Sequence, residues 1–140
     1  MATYLPDPSG GWVAAVRGGV VLLAPSTESA RLAALWPALG EVDPTPQVLD
    51  ALTAGGLAAT PAFALVVRAG RDGSARVVAR GGVAVRVGDE VVSGAGVSTW
   101  AERVVDAGAY QVRVEVDGAR ADAAGSLPVV EAVVHAVAVA

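Results

Sequence analysis

From Ala62 to Val116 apolar residues recur at every second position in short runs, "AFALVVR", "SARVVAR", "VAVRV" and "AYQVRVEVDGARA". A period of two belongs to a strand, because successive side chains leave a pleated backbone on opposite faces. In the last of these runs Tyr110, Val112, Val114 and Val116 share one face, while Gln111, Arg113 and Glu115 share the other. Asp72-Gly73, Gly88-Asp89 and Asp117-Gly118 stand between runs as two-residue hairpin signals. Arg76, Arg80 and Arg86 fall on faces that can reach water.

The period changes earlier in the chain. "GGWVAAVRGGVVLLAP" reads as two strands, Trp12 to Arg17 and Val20 to Ala24, turned at Gly18 and Gly19. After Pro25 the residues Leu32, Leu35, Trp36 and Leu39 follow the spacing of a helix face, with Ser26 or Thr27 as its N-cap. A second helix is expected with Thr45 as N-cap, Pro46 in the first turn, an apolar face of Val48, Leu49 and Leu52, and Gly55 as its stop. The closing run "LPVVEAVVHAVAVA" reads as a strand from its density of valine. The expectation is a single domain over residues 1–140, mainly β (α+β): an antiparallel sandwich or barrel-like meander with a two-helix insertion near residues 27–54.

Composition narrows the function. The 140 residues include ten basic ones, all arginine, against fourteen acidic, for a net charge of −4. Nucleic-acid binders gather positive charge on one face to displace phosphate counterions, and no basic stripe is present, so no nucleic-acid partner is expected. The absence of cysteine excludes disulfides and thiolate ligands and fits a cytoplasmic location. The start "MATYLPDPSGG" lacks the charged and apolar regions of a signal peptide, and no apolar run is long enough to span a bilayer, so a soluble protein is expected.

The stretch "GAGVSTWAERVV", residues 94 to 105, gathers glycines, hydroxyls, an indole, a carboxylate and a guanidinium. It fails as a dinucleotide fingerprint, because Thr99 stands where the third glycine is needed, and as a nucleophile elbow, because Trp100 stands where a glycine is needed. A phosphate-binding P-loop needs a lysine, and the chain has none. The sole histidine, His135, lies among valines and is expected as a partly buried strand residue; no metal or cofactor site follows from one imidazole. Asp89, Glu90, Glu102 and Asp106 lie near turns that could gather carboxylates, though a solvated turn surface is the simpler reading. No acid, base and nucleophile can be assigned, so an enzyme is not expected.

The string "GGLAATPAFALV", "VSGAGVSTWAERVV" and the helix "ARLAALWPAL" before both resemble the N-terminal region that precedes the forkhead-associated domain in a group of actinobacterial proteins. The likeness runs from about Trp12 to about Val134. It implies a domain that accompanies phosphothreonine signalling without catalysing a reaction. The forkhead-associated pocket itself is not expected here, since the chain has no asparagine and its one histidine falls in the last strand. Two functions are therefore open. The first is an interaction or assembly domain, bound to a protein partner or to itself through Trp100, Trp12, Glu102 and Arg103. The second is a β-barrel holding a small apolar ligand between Val- and Ala-lined walls.

Overall fold

The structure is a computed structural model and describes residues 2–68, 73–106, 112–116, 125–129 and 131–140. The strands β1 (Ala2–Pro6), β2 (Trp12–Arg17) and β3 (Val20–Pro25) come first. The helices α1 (Ser29–Leu39) and α2 (Thr45–Leu52) follow, then β4 (Phe63–Arg68), β5 (Ser74–Val87), β6 (Glu90–Gly94), β7 (Ala101–Asp106), β8 (Val112–Val116), β9 (Leu127–Val129) and β10 (Ala132–Val139). The protein is mainly β with a two-helix insertion, as the two periods require.

Every pairing is antiparallel, and six of the strands close on themselves. β2 pairs β3, β3 pairs β4, and β4 pairs the first half of β5. β8 pairs the second half of β5 and the end of β10, and the start of β10 returns to β2. The ring β2-β3-β4-β5-β8-β10 is therefore a small barrel. β6 and β7 add to β5, while β1 joins β10 and carries β9 on its other side. Such a ring is narrower than an eight-stranded barrel, whose interior side chains only just fill. Small interior residues are what it can hold: Ala14, Val16, Ala64, Val66, Val77, Val83, Val85, Val114, Val116 and Ala136 belong to one buried cluster.

On its other face the sheet meets the helices. Val13, Ala15, Leu22, Ala24, Phe63 and Leu65 pack with Leu32, Leu35 and Leu39 of α1 and with Val48 and Leu52 of α2. Burial on both faces explains why β2, β3 and β4 read as nearly continuous apolar runs. Each buried leucine of the insertion contributes roughly 1.5–3 kcal/mol, so the helices are held by packing more than by their own propensity. Arg17 at the end of β2 secures the C-terminus of α1: its Nη1 donates to the Trp36 carbonyl at 2.6 Å, and its guanidinium lies 5.1 Å from the Trp36 ring centre. A cation there also meets the negative end of the helix dipole.

Several local expectations are corrected. Ser26 and Thr27 do not cap α1; they form a short 3-10 turn, Ser26–Glu28, and α1 starts without a side-chain cap. Thr45 is the first residue of α2 rather than its cap, because Pro44 takes that position and the Asp43 carboxylate accepts the Thr45 N–H at 3.1 Å. α2 ends at Leu52, ahead of Gly55. "SARVVAR" and "VAVRV" are one strand, not two. Gly81 (φ 76°) and Gly82 form a bulge that lets β5 leave β4 for β8 instead of turning back. β1 had no expected counterpart. The closing run is two strands, β9 and β10, both paired to β1, and Gly88 at φ 59° makes the expected β5–β6 turn. Tyr110, Gln111, Asp72 and the Asp117-Gly118 turn lie outside the described residues. Among the described residues no helix is long and apolar enough to cross a membrane.

Candidate functional site

The chemistry-rich stretch is built mainly by its own backbone and by Arg80. Gly94 ends β6 against the β5 bulge, where a Cβ would stand 2.4 Å from both Arg80 Cα and Gly81 N. Gly96 takes φ 77°, and the Val97 N–H donates to the Gly94 carbonyl at 3.1 Å, closing the turn. The Arg80 guanidinium then gathers two loops. Nη1 donates to the carbonyls of Ser98 (2.7 Å) and Thr99, Nη2 to that of Leu57 (2.8 Å), and Nε to that of Thr60 (3.3 Å). Arg80 is thus a clamp rather than a solvated strand charge. Trp100, half-buried, packs on the helix-side core, and Trp12, also half-buried, packs on the barrel-side core.

Beyond Trp100 the same stretch becomes β7. Ala101 and Val105 turn toward the barrel core beside Ala79 and Ala75 of β5, and Arg103 shares their face opposite Val77. Glu102 and Val104 take the other face. Glu102 accepts from Arg76 Nη1 at 2.8 Å, a pair more than a third exposed and so worth less than about 1 kcal/mol. Val104 is 65% exposed, next to the exposed Arg103 along the strand and on the same face as the exposed Glu102. Among the described residues β7 pairs only with β5, which leaves its other edge without a backbone partner. Among the described residues, ion pairs engage Arg31, Arg76 and Arg86 across the chain, and none engages Arg103.

Three of the four expected carboxylates do come together. Asp89, Glu90 and Asp106 line an open cleft of about 310 Å³ with Val87, Gly88, Arg103, Val104 and Val105, whereas Glu102 is held elsewhere by Arg76. The β5–β6 turn brings Asp89 and Glu90 to the C-terminal half of β7, and Arg103 is the single cation of the lining among the described residues. Among the described residues no three of His, Asp and Glu are placed to hold a metal ion. Comparison with family models, curated proteins and solved structures finds no match.

Away from β7, Asp7, Ser9 and His135 are neighbours, but their bonds are not those of a catalytic triad. Ser9 Oγ donates directly to Asp7 Oδ1 at 2.6 Å, while His135 Nδ1 lies 3.3 Å from the Trp12 carbonyl. A triad needs the imidazole between hydroxyl and carboxylate. His135 is exposed on β10, not partly buried as expected. The cluster is a turn: Asp7 also accepts the N–H groups of Ser9 (3.0 Å) and Trp12 (2.9 Å), which ties β1 to β2.

The Ser9 hydroxyl is the largest influence holding the Asp7 carboxyl below its ordinary value of 3.8; burial opposes it, and the backbone N–H groups of Trp12 and Ser9 assist. A lowered folded value means the contribution is complete above about pH 4 and is lost as pH falls through the folded value. Asp7→Ala is expected to lower stability by about 2 kcal/mol at neutral pH. The deficit should shrink below pH 4, as read from urea midpoints across an acid series. A deficit independent of pH would show that the carboxylate's charge is not what the turn uses.

One polar group escapes the sequence reading. Glu115 alternates with Val114 and Val116 as a solvent-facing residue would, yet it is 1% exposed, flanked on the paired strands by Ala84 and Ala138. Arg86 Nε lies 3.0 Å from Oε1, and among the described residues neither carboxylate oxygen accepts a hydrogen bond. Period alone could not find it, because alternation assigns a face and not what covers that face.

Proposed function

We propose that the chain is a non-enzymatic protein-interaction module that takes an extended segment of another protein along the free edge of β7. The observation that carries this is an edge that has no backbone partner among the described residues and that carries an exposed Val104 beside the exposed Arg103. Strand addition of this kind draws affinity from main-chain hydrogen bonds and selectivity from alternate side chains. Trp100 and Trp12 then support the edge rather than form its contact surface, since both pack on core clusters. As part of this reading, the resemblance to regions preceding forkhead-associated domains would put such a module beside phosphothreonine signalling. The apolar-ligand reading is less favoured, because a six-stranded ring lined with valine and alanine leaves its side chains little room to stand apart.

Adjacent residues of an edge strand direct their N–H groups alternately toward the sheet and away from it. Of Arg103→Pro and Val104→Pro, therefore, one removes a ladder bond to β5 and the other removes only an outward donor, which an edge strand tolerates. Thermal unfolding distinguishes the two. A displayed library of short extended peptides, panned on the full chain, is expected to yield binders that lose at least about tenfold in affinity for the fold-retaining proline variant. Peptides that bind this variant as well as the parent, or a library that yields none, would remove the reading.

A further inference from the structure

We infer that the segment received by β7 is a basic one from a different protein, and not a second copy of this chain; the inference rests on the strand-addition reading above. Charge around the edge supplies the first part. Among the described residues, Asp89, Glu90 and Asp106 and one guanidinium, that of Arg103, line the cleft beside the C-terminal half of β7. A strand laid along this edge of β7 directs alternate side chains to the Arg103 face and to the face that Asp106 shares with Glu102, and the cleft is lined from both. Among the described lining residues carboxylates outnumber cations, so Lys or Arg beside the cleft gains attraction that Glu or Asp would forfeit.

The register of self-pairing supplies the second part. In a two-fold antiparallel pairing that continues the sheet, residues facing each other lie on the same face. Only two such registers pair five residues of Ala101–Asp106. Centring on Arg103 sets two guanidiniums directly opposite each other. Centring on Val104 sets Glu102 opposite Asp106 at both ends. Like charges across a strand pair are destabilising, so the edge resists its own copy while staying open to a strand of complementary charge.

The test uses three synthetic peptides in one alternating Thr/Val frame, carrying Lys, Ser or Glu at the positions of one face, titrated into the full chain at low and high salt. Amide shifts of Glu102 to Asp106 report the site. The Lys peptide is expected to bind at least about tenfold more tightly than the Glu peptide, with the advantage falling as salt rises. The pair Asp89→Asn and Asp106→Asn, both at exposed positions, should abolish the preference and leave the Ser peptide's affinity unchanged. Equal binding of all three peptides at β7 would overturn the charge inference and keep strand addition. No shift at β7 with any peptide would remove both. Shifts at β7 that depend only on the chain's own concentration would make the occupant a second copy and overturn the inference.

Discussion

Gly94→Ala is expected to lower the stability of the protein by about 3 kcal/mol or more, a large share of what a domain of this size holds. The added methyl would stand 2.4 Å from Arg80 Cα and from Gly81 N and 2.6 Å from Arg80 C, and all three atoms are backbone. A side-chain tip could swing aside; the bulge of β5 cannot, because the residues on either side of it are already paired to β4 and β8. The strain would also reach Arg80, whose guanidinium holds the 57–60 and 98–99 carbonyls together. Gly96→Ala is the matched control. It has φ 77° and nothing within 4 Å of the added Cβ, so its expected loss is only the left-handed penalty of about 1–2 kcal/mol. Urea midpoints with unchanged slopes would measure both. A Gly94→Ala protein with the parent midpoint would mean that β6 does not end against the bulge.

The second large effect is expected at the buried carboxylate. Arg86→Ala should destabilise the protein by about 3 kcal/mol, because it removes the cation paired with Glu115 among the described residues and leaves a charge that is 1% exposed. The loss lies with Glu115 and not with the arginine, whose side chain is 39% exposed and returns to water readily. Glu115→Met, which removes the buried charge and keeps the volume, is expected to be neutral or stabilising even when combined with Arg86→Ala. Equilibrium unfolding of the two single variants and the double variant forms a complete cycle. If Arg86→Ala and Glu115→Met destabilise by equal amounts and add, the two side chains do not act as a pair.

These two sites also mark where the sequence stops being informative. The alternation of valine with polar residues in β8 assigned Val114 and Val116 to the barrel core, and the spacing of Leu32, Leu35 and Leu39 assigned a helix face to the sheet. Both are local, since a residue's face depends only on its neighbours along the chain. Turn chemistry was legible in the same way at Gly18-Gly19 and Gly88-Asp89. An identical Gly-Gly pair at residues 81–82 is a bulge, and nothing within "ARGGVAV" distinguishes the two outcomes. The distinction lies in the partners: β2 and β3 pair with each other across their glycines, whereas the two halves of β5 pair with β4 and β8, which lie far apart in sequence.

The candidate site divides in the same manner. Asp89, Glu90 and Asp106 were visible as carboxylates near turns, and Glu102 and Arg103 as neighbours that point opposite ways. Which of them share a cleft, and which is taken by Arg76, followed only from the pairing of β7 with β5. The sequence by itself determined the strand and helix content, the small residues of the core and the acidic balance. Only the tertiary structure decided the closed ring, the clamp at Arg80, the burial of Glu115 and the open edge of β7. Side-chain period fixes the face a residue presents, while strand pairing is a contact between distant segments that no local pattern encodes.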